Sequence, residues 1–129
     1  NSKHVDNSTK KKIVICVPEG EEHNLGANVL EAHLTSLGHR VYNLTPSEPH
    51  ESIVNFIEST KPDSVIISMT LEDSIRPGQR LSKKISERRK VPIFVGGQAL
   101  ENKKIQFENA QIVTNSSLKE ITKIVISRK

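Results

Sequence analysis

Three short runs in this chain are apolar at every position: Ile13-Val14-Ile15-Cys16-Val17, Val65-Ile66-Ile67 and Ile93-Phe94-Val95. Runs of this length, rich in β-branched residues, read as strands, and a strand with no polar alternate positions is buried on both faces. Helix patterns separate them. Ala27, Leu30, Leu34 and Leu37 recur at helical spacing over about Gly26 to Leu37, with Gly38 as the stop. Ile53, Phe56 and Ile57 mark a second helix that ends before Lys61-Pro62. Leu81 and Ile85 mark the inner face of a basic one, and Leu118, Ile121 and Val125 mark a closing one. Regular alternation of this kind gives a parallel sheet covered by helices on both faces. Val41-Tyr42-Asn43-Leu44 and Gln111-Ile112-Val113 are shorter and more polar, which suits edges. The order that buries the three apolar strands is 2-1-3-4-5, a flavodoxin-like, three-layer α/β/α arrangement with five parallel strands. Right-handed crossovers then put helices 1 and 5 on one face and helices 2, 3 and 4 on the other.

A length of 129 residues fits one domain, expected over 12–129, preceded by a polar tail over 1–11 in which Val5 is the one aliphatic residue. Asn1 stands where an initiator methionine would, so the chain is expected to be a domain of a longer protein. A single cysteine, Cys16, excludes an internal disulfide and suits a reducing, cytoplasmic compartment. No apolar run approaches the roughly 20 residues of a membrane span. Aromatic residues make up 3% of the chain, too few for a stacking platform that binds single-stranded nucleic acid. The net charge of +4 is spread along the sequence and reads as a solvated surface.

Ligands of such sheets bind beyond the carboxyl ends of the strands, near the switch between strands 1 and 3. The loops that matter are therefore Pro18–Gly26, Ser68–Asp73 and Gly96-Gly97-Gln98. Glu19, Glu21 and Glu22 in the first loop oppose a phosphate, which counts against a flavodoxin-like mononucleotide site. Ser68-Met69 and Thr114-Asn115 stand where a phospho-acceptor receiver needs aspartate and lysine. The Rossmann glycine fingerprint is absent, as is any Cys-x-x-Cys or His-x-x-x-His pair for an all-protein zinc site. His4, His33, His39 and His50 are scattered and expected to face solvent. His23 differs, with Glu21 two residues before it to hold one ring nitrogen and leave the other ready for a metal. Gly26 opens the helix start, and Gly96-Gly97 reads either as a turn or as a gap left for a ligand.

Glu21-x-His23-x-x-Gly26 is followed by 41 residues (27–67), Ser68-x-Thr70-Leu71, a further 24 (72–95) and Gly96-Gly97. This pattern resembles the cobalamin-binding domain of the base-off, His-on type, and the resemblance covers roughly residues 12–128. It implies cobalamin as cofactor, as adenosylcobalamin or methylcobalamin, with His23 replacing the cofactor's own dimethylbenzimidazole as lower ligand to cobalt. Glu21 would take the place of the family's commoner aspartate behind the histidine. The displaced nucleotide tail would lie beside strands 1, 3 and 4. Ser68 would meet the benzimidazole nitrogen, and Gly96-Gly97 would make room for the tail. Asn24, Leu25, Thr70 and Leu71 complete the implied cofactor contacts.

The glutamate, the Ser-x-Thr-Leu variant and Gly38-His39-Arg40-Val41-Tyr42 are most similar to the C-terminal sensory domains of MerR-type cobalamin-dependent regulators. The alternative is a corrinoid carrier subunit of a methyltransferase. Either way the domain is a binding module and not an enzyme by itself. Both relatives carry a helical cap over the cobalt, which this chain lacks, and no helix here is suited to reading DNA or entering a membrane. A flavodoxin-like interaction domain without ligand is the remaining class. Two expectations follow from the resemblance: the loop from Glu19 to about Asn28 is loose without cofactor, and Gly97→Ala weakens binding while sparing the free fold.

Overall fold

Five parallel strands form one sheet in the order β2-β1-β3-β4-β5. The computed structural model of the protein describes residues 10–113 and 117–127. Most of the expected tail, Thr114-Asn115 and the last two positions of the expected domain lie outside the described residues. The strands are β1 (Lys12–Cys16), β2 (Arg40–Asn43), β3 (Ser64–Ser68), β4 (Ile93–Gly96) and β5 (Gln111–Ile112). The helices are α1 (Leu25–Ser36), α2 (His50–Thr60), α3 (Ile75–Arg88) and α4 (Leu118–Ser127). Lys11 already belongs to the fold, since its carbonyl accepts from Arg40 N and its amide donates to His39 Nδ1.

The central strands are apolar between their ends because both their faces meet helices. Val14, Cys16, Val65, Ile67 and Val95 pack with Ile53 and Ile57 of α2 and with Leu81 and Ile85 of α3. Ile13, Ile15, Ile66 and Phe94 face the other way, onto Ala27, Leu30 and Leu34 of α1 and Val125 of α4. Each such buried side chain stabilises the fold by roughly 1.5–3 kcal/mol, so the sheet centre dominates the stability. The edge strand β2 is only half-buried, and Tyr42 there packs edge-on against Phe56 at 5.4 Å.

Three expectations are corrected. α1 ends one residue early: Leu37 caps it, 48% exposed, because Gly38 takes a φ of +94° and turns the chain out of the helix. No α-helix crosses from β4 to β5. A 3-10 turn at Gln98–Leu100 lies on that path, and Ala99, Leu100 and Phe107 fill the layer a helix would have occupied. His39 and His50 are half-buried and bonded to backbone amides rather than free in solvent. Among the described residues no helix is long and apolar enough to cross a membrane.

Candidate functional site

β1, β3 and β4 run in register, with Cys16 beside Ile67 and Ser68 beside Gly96, so the loops that leave them open on one edge. After β1 the chain makes a tight turn closed by Glu21 N–H on the Pro18 carbonyl at 3.0 Å. Gly20 takes a φ of +96° in that turn, a conformation other residues adopt only with strain. The turn sends Glu21 inward, where its side chain is 0% exposed.

A buried carboxylate needs donors, and Glu21 has a full set. Oε1 accepts from Thr70 N at 2.7 Å, Leu71 N at 3.1 Å and Ser74 Oγ at 2.7 Å. Oε2 accepts from His23 N at 3.2 Å and lies 3.0 Å from His23 Nδ1. Burial alone would raise the carboxyl pKa. The Ser74 hydroxyl and the Leu71, Thr70 and His23 amides together outweigh it and bring the group from its ordinary 4.5 down to about 2. Glu21 is therefore an anion. An anionic carboxylate can only accept, so Nδ1 carries a proton, and in the neutral tautomer this selects, Nε2 keeps its lone pair. The His23 side chain is 56% exposed, so that lone pair is accessible.

These contacts give the loop that was expected to be loose an anchor: Glu21 ties the β1–α1 connection to the β3–α3 connection. Charge repulsion among the glutamates does not govern it, because Glu21 turns inward while Glu19 and Glu22 remain exposed.

Beside this pair lies an apolar cavity of about 170 Å³ between α1, α4 and the strand ends, walled by Ile15, Ala27, Leu30, Ile66, Val113, Leu118 and Ile121. A wider cavity of about 330 Å³ adjoins it and is lined by His23, Leu25, Thr70 and Gln98. Gly26, Ser68 and Gly97 border both. Leu25 and Leu71 are 77% and 47% exposed, which leaves apolar surface at the rim. Asn24 faces the other way, its Nδ2 donating to Thr45 Oγ1 at 3.4 Å.

The glycines divide by role. A Cβ on Gly97 would lie 2.0 Å from the Met69 carbonyl oxygen, and its φ is +120°. A Cβ on Gly96 would lie 2.8 Å from the Val113 carbonyl oxygen. Both border the cavity, yet the protein's own backbone already requires them. The expectation that Gly97→Ala spares the free fold is thus overturned by sterics. Gly26 is the opposite case, since a Cβ there would meet nothing within 4 Å.

Sequence reasoning missed Ser74, whose hydroxyl completes the Glu21 site, and read Gln98, which lines the mouth, only as part of its loop. Ser74 lies six residues beyond Ser68, at the end of a 3-10 turn, and the spacing alone does not mark it.

Comparison with known proteins decides the family. The B12 binding domain family model matches residues 11–115. The chain belongs to that family. Its cofactor is cobalamin, and its metal is the cobalt that cobalamin carries. The domain is 27% identical over 110 residues to a methionine synthase of Mycobacterium tuberculosis, which covers 83% of this chain and 9% of that protein. Among solved structures it resembles the methanol:cobalamin methyltransferase complex of Methanosarcina barkeri, with TM-score 0.76 and 21% identity over 92% of this chain and 47% of the other. It also resembles the monomethylamine corrinoid protein of the same organism, with TM-score 0.77 and 21% identity over 90% and 57% of the two chains. The domain thus spans a small fraction of the methionine synthase and about half of each corrinoid structure.

The residues present fit this cofactor. Among the described residues no three His, Cys, Asp or Glu side chains gather around a metal position. Cobalamin brings its own equatorial nitrogens, so a single protein donor is enough, and His23 Nε2 is that kind of donor. The narrow apolar cavity suits an aromatic base, and the open space at Gly26 leaves room at its entrance.

Proposed function

We propose that the domain holds cobalamin base-off, with His23 Nε2 as the lower axial ligand to cobalt. One observation carries this reading: an exposed imidazole whose other nitrogen is held by a fully buried carboxylate, at the mouth of an apolar slot. The nucleotide tail would occupy that slot, with Ser68 at its entrance toward the benzimidazole and Leu25 and Leu71 beside the corrin. When bound, the cobalt would supply a labile bond to an alkyl group. Glu21 acts from below: by drawing on the Nδ1 proton it makes Nε2 a stronger donor. Ser74 hydrogen-bonds Oε1 and limits how much negative charge the carboxylate offers to the histidine.

The domain serves as the sensory part of a MerR-type cobalamin-dependent regulator. Glu21, the Ser68-x-Thr70-Leu71 variant and the Gly38–Tyr42 stretch support this assignment. A second reading, a corrinoid carrier for methyl transfer, is favoured by the methyltransferase proteins it resembles. In both, a helical cap from outside these residues covers the upper face, and the domain binds cofactor without catalysing alone. A cytoplasmic setting fits a chain whose single cysteine, Cys16, is buried.

Titration of the purified domain with methylcobalamin, followed by visible absorbance, tests the ligation. Wild type is expected to give the His-coordinated spectrum and His23→Ala a base-off spectrum with sharply weaker binding. Retention of the wild-type spectrum and affinity by His23→Ala would refute it. Cobalamin-dependent oligomerisation supports the sensor, and methyl turnover between two partner enzymes supports the carrier.

A further inference from the structure

The turn that carries Glu21 and His23 is held from a second side, by the connection between β2 and α2. The turn's own hydrogen bond uses Glu21 N–H. The preceding amides are taken elsewhere: Glu19 N donates to His50 Nε2 at 2.9 Å, and Gly20 N donates to Ser47 Oγ at 2.8 Å. Beyond His23, Asn24 Nδ2 donates to Thr45 Oγ1, which in turn donates to Asn43 Oδ1 at the end of β2. The His23 segment is therefore bracketed before and after by one neighbouring loop.

We propose that His50 is a positioning residue for the cobalt ligand: its neutral imidazole, at the start of α2, fixes the turn from which Glu21 and His23 extend. The proposal rests on His23 ligating cobalt. Nε2 can accept the Glu19 amide only while it is unprotonated, and an imidazolium has no acceptor left. The charged groups facing His50 are Glu19 from the turn and Arg80 and Lys84 from α3. Partial burial lowers its pKa below the ordinary 6.5, Glu19 opposes this, and Arg80 and Lys84 add to it. Because the folded value is depressed, the contact holds at neutral pH and is lost as pH falls through that value.

Two measurements test this, one of which needs no cofactor. In the free domain, amide exchange at Glu19 is expected to accelerate about fivefold in His50→Ala, the weight of one hydrogen bond. His50→Gln, whose amide oxygen can take the place of Nε2 and does not titrate, is expected to restore protection and make it pH-independent. Wild type should instead lose protection as pH falls through the depressed folded value, below the ordinary 6.5. In the loaded domain, His50→Ala should weaken cobalamin binding about fivefold, and His50→Gln should restore it. Unchanged Glu19 exchange or unchanged affinity in His50→Ala would overturn the proposal. Failure of the ligation reading is separable, because it shows in the His23→Ala spectrum whatever the Glu19 amide does.

Discussion

Glu21 concentrates more of the site's electrostatics than any other side chain. Its carboxyl pKa falls from 4.5 in the unfolded chain to about 2 in the fold. A depressed folded value means stability that is full above pH 4.5 and is lost as pH drops from there towards 2. The shift is worth about 3 kcal/mol. Urea unfolding across pH 2–7 should show that loss in wild type and a much flatter profile in Glu21→Gln, which should also be less stable at neutral pH. The variant keeps one oxygen for Thr70, Leu71 and Ser74, but its amide faces the His23 N–H as donor against donor. An identical acid limb in both proteins would remove Glu21 from the account. The glycines give a paired test. Gly97→Ala should destabilise the free domain by about 3 kcal/mol, because positive φ and the Met69 carbonyl both oppose a methyl group. Gly26→Ala sits in a helix with open space around it, so the free domain should be unchanged or gain up to about 1 kcal/mol. Cobalamin affinity should nevertheless fall about fivefold or more, since the methyl enters the space proposed for the cofactor. Thermal melts and absorbance titrations on both variants check the contrast.

At the scale of elements, much of the fold was legible because burial on both faces removes the polar alternation from β1, β3 and β4. The site was legible in its positions, since three loops had to share one edge, but not in its bonding. Nothing in Glu19-Gly20-Glu21-Glu22 marks Glu21 as the buried residue; its donors at Thr70, Leu71 and Ser74 lie about fifty positions away. Gly97 was misjudged because its constraint is a carbonyl contributed by another loop. α4 illustrates how an element conditions the site. Ser117 Oγ accepts from Glu120 N at 3.1 Å while Ser117 N donates to Glu120 Oε1 at 2.9 Å, a reciprocal cap at the helix start. Leu118 and Ile121, just inside that cap, wall the slot. Ser117→Ala should cost about 1 kcal/mol in unfolding free energy. It should also weaken cobalamin binding, because a frayed first turn no longer holds the slot wall. A stability loss with wild-type affinity would separate the cap from the slot.

For the molecule as a whole, the site exists only when the sheet does. The proposed site draws His23 from the loop after β1, Ser68 from β3, Gly26 from α1 and its slot wall from α1 and α4, so an unfolded chain presents no comparable site for cobalamin. Binding to the native state alone shifts the unfolding equilibrium by mass action. At a free cobalamin concentration 100 times the dissociation constant, the gain is about 2.7 kcal/mol. For a domain of this size that corresponds to a rise in melting temperature of about 10 °C. The rise should increase with the logarithm of cobalamin concentration. At the same concentration it should be smaller in His23→Ala, which loses the imidazole contact to Glu21 but leaves that carboxylate its donors at Thr70, Leu71 and Ser74. Differential scanning calorimetry at several cobalamin concentrations measures this directly. Equal rises in wild type and His23→Ala would locate the binding energy in the slot and corrin contacts alone, and would leave the histidine without an energetic part in holding the cofactor.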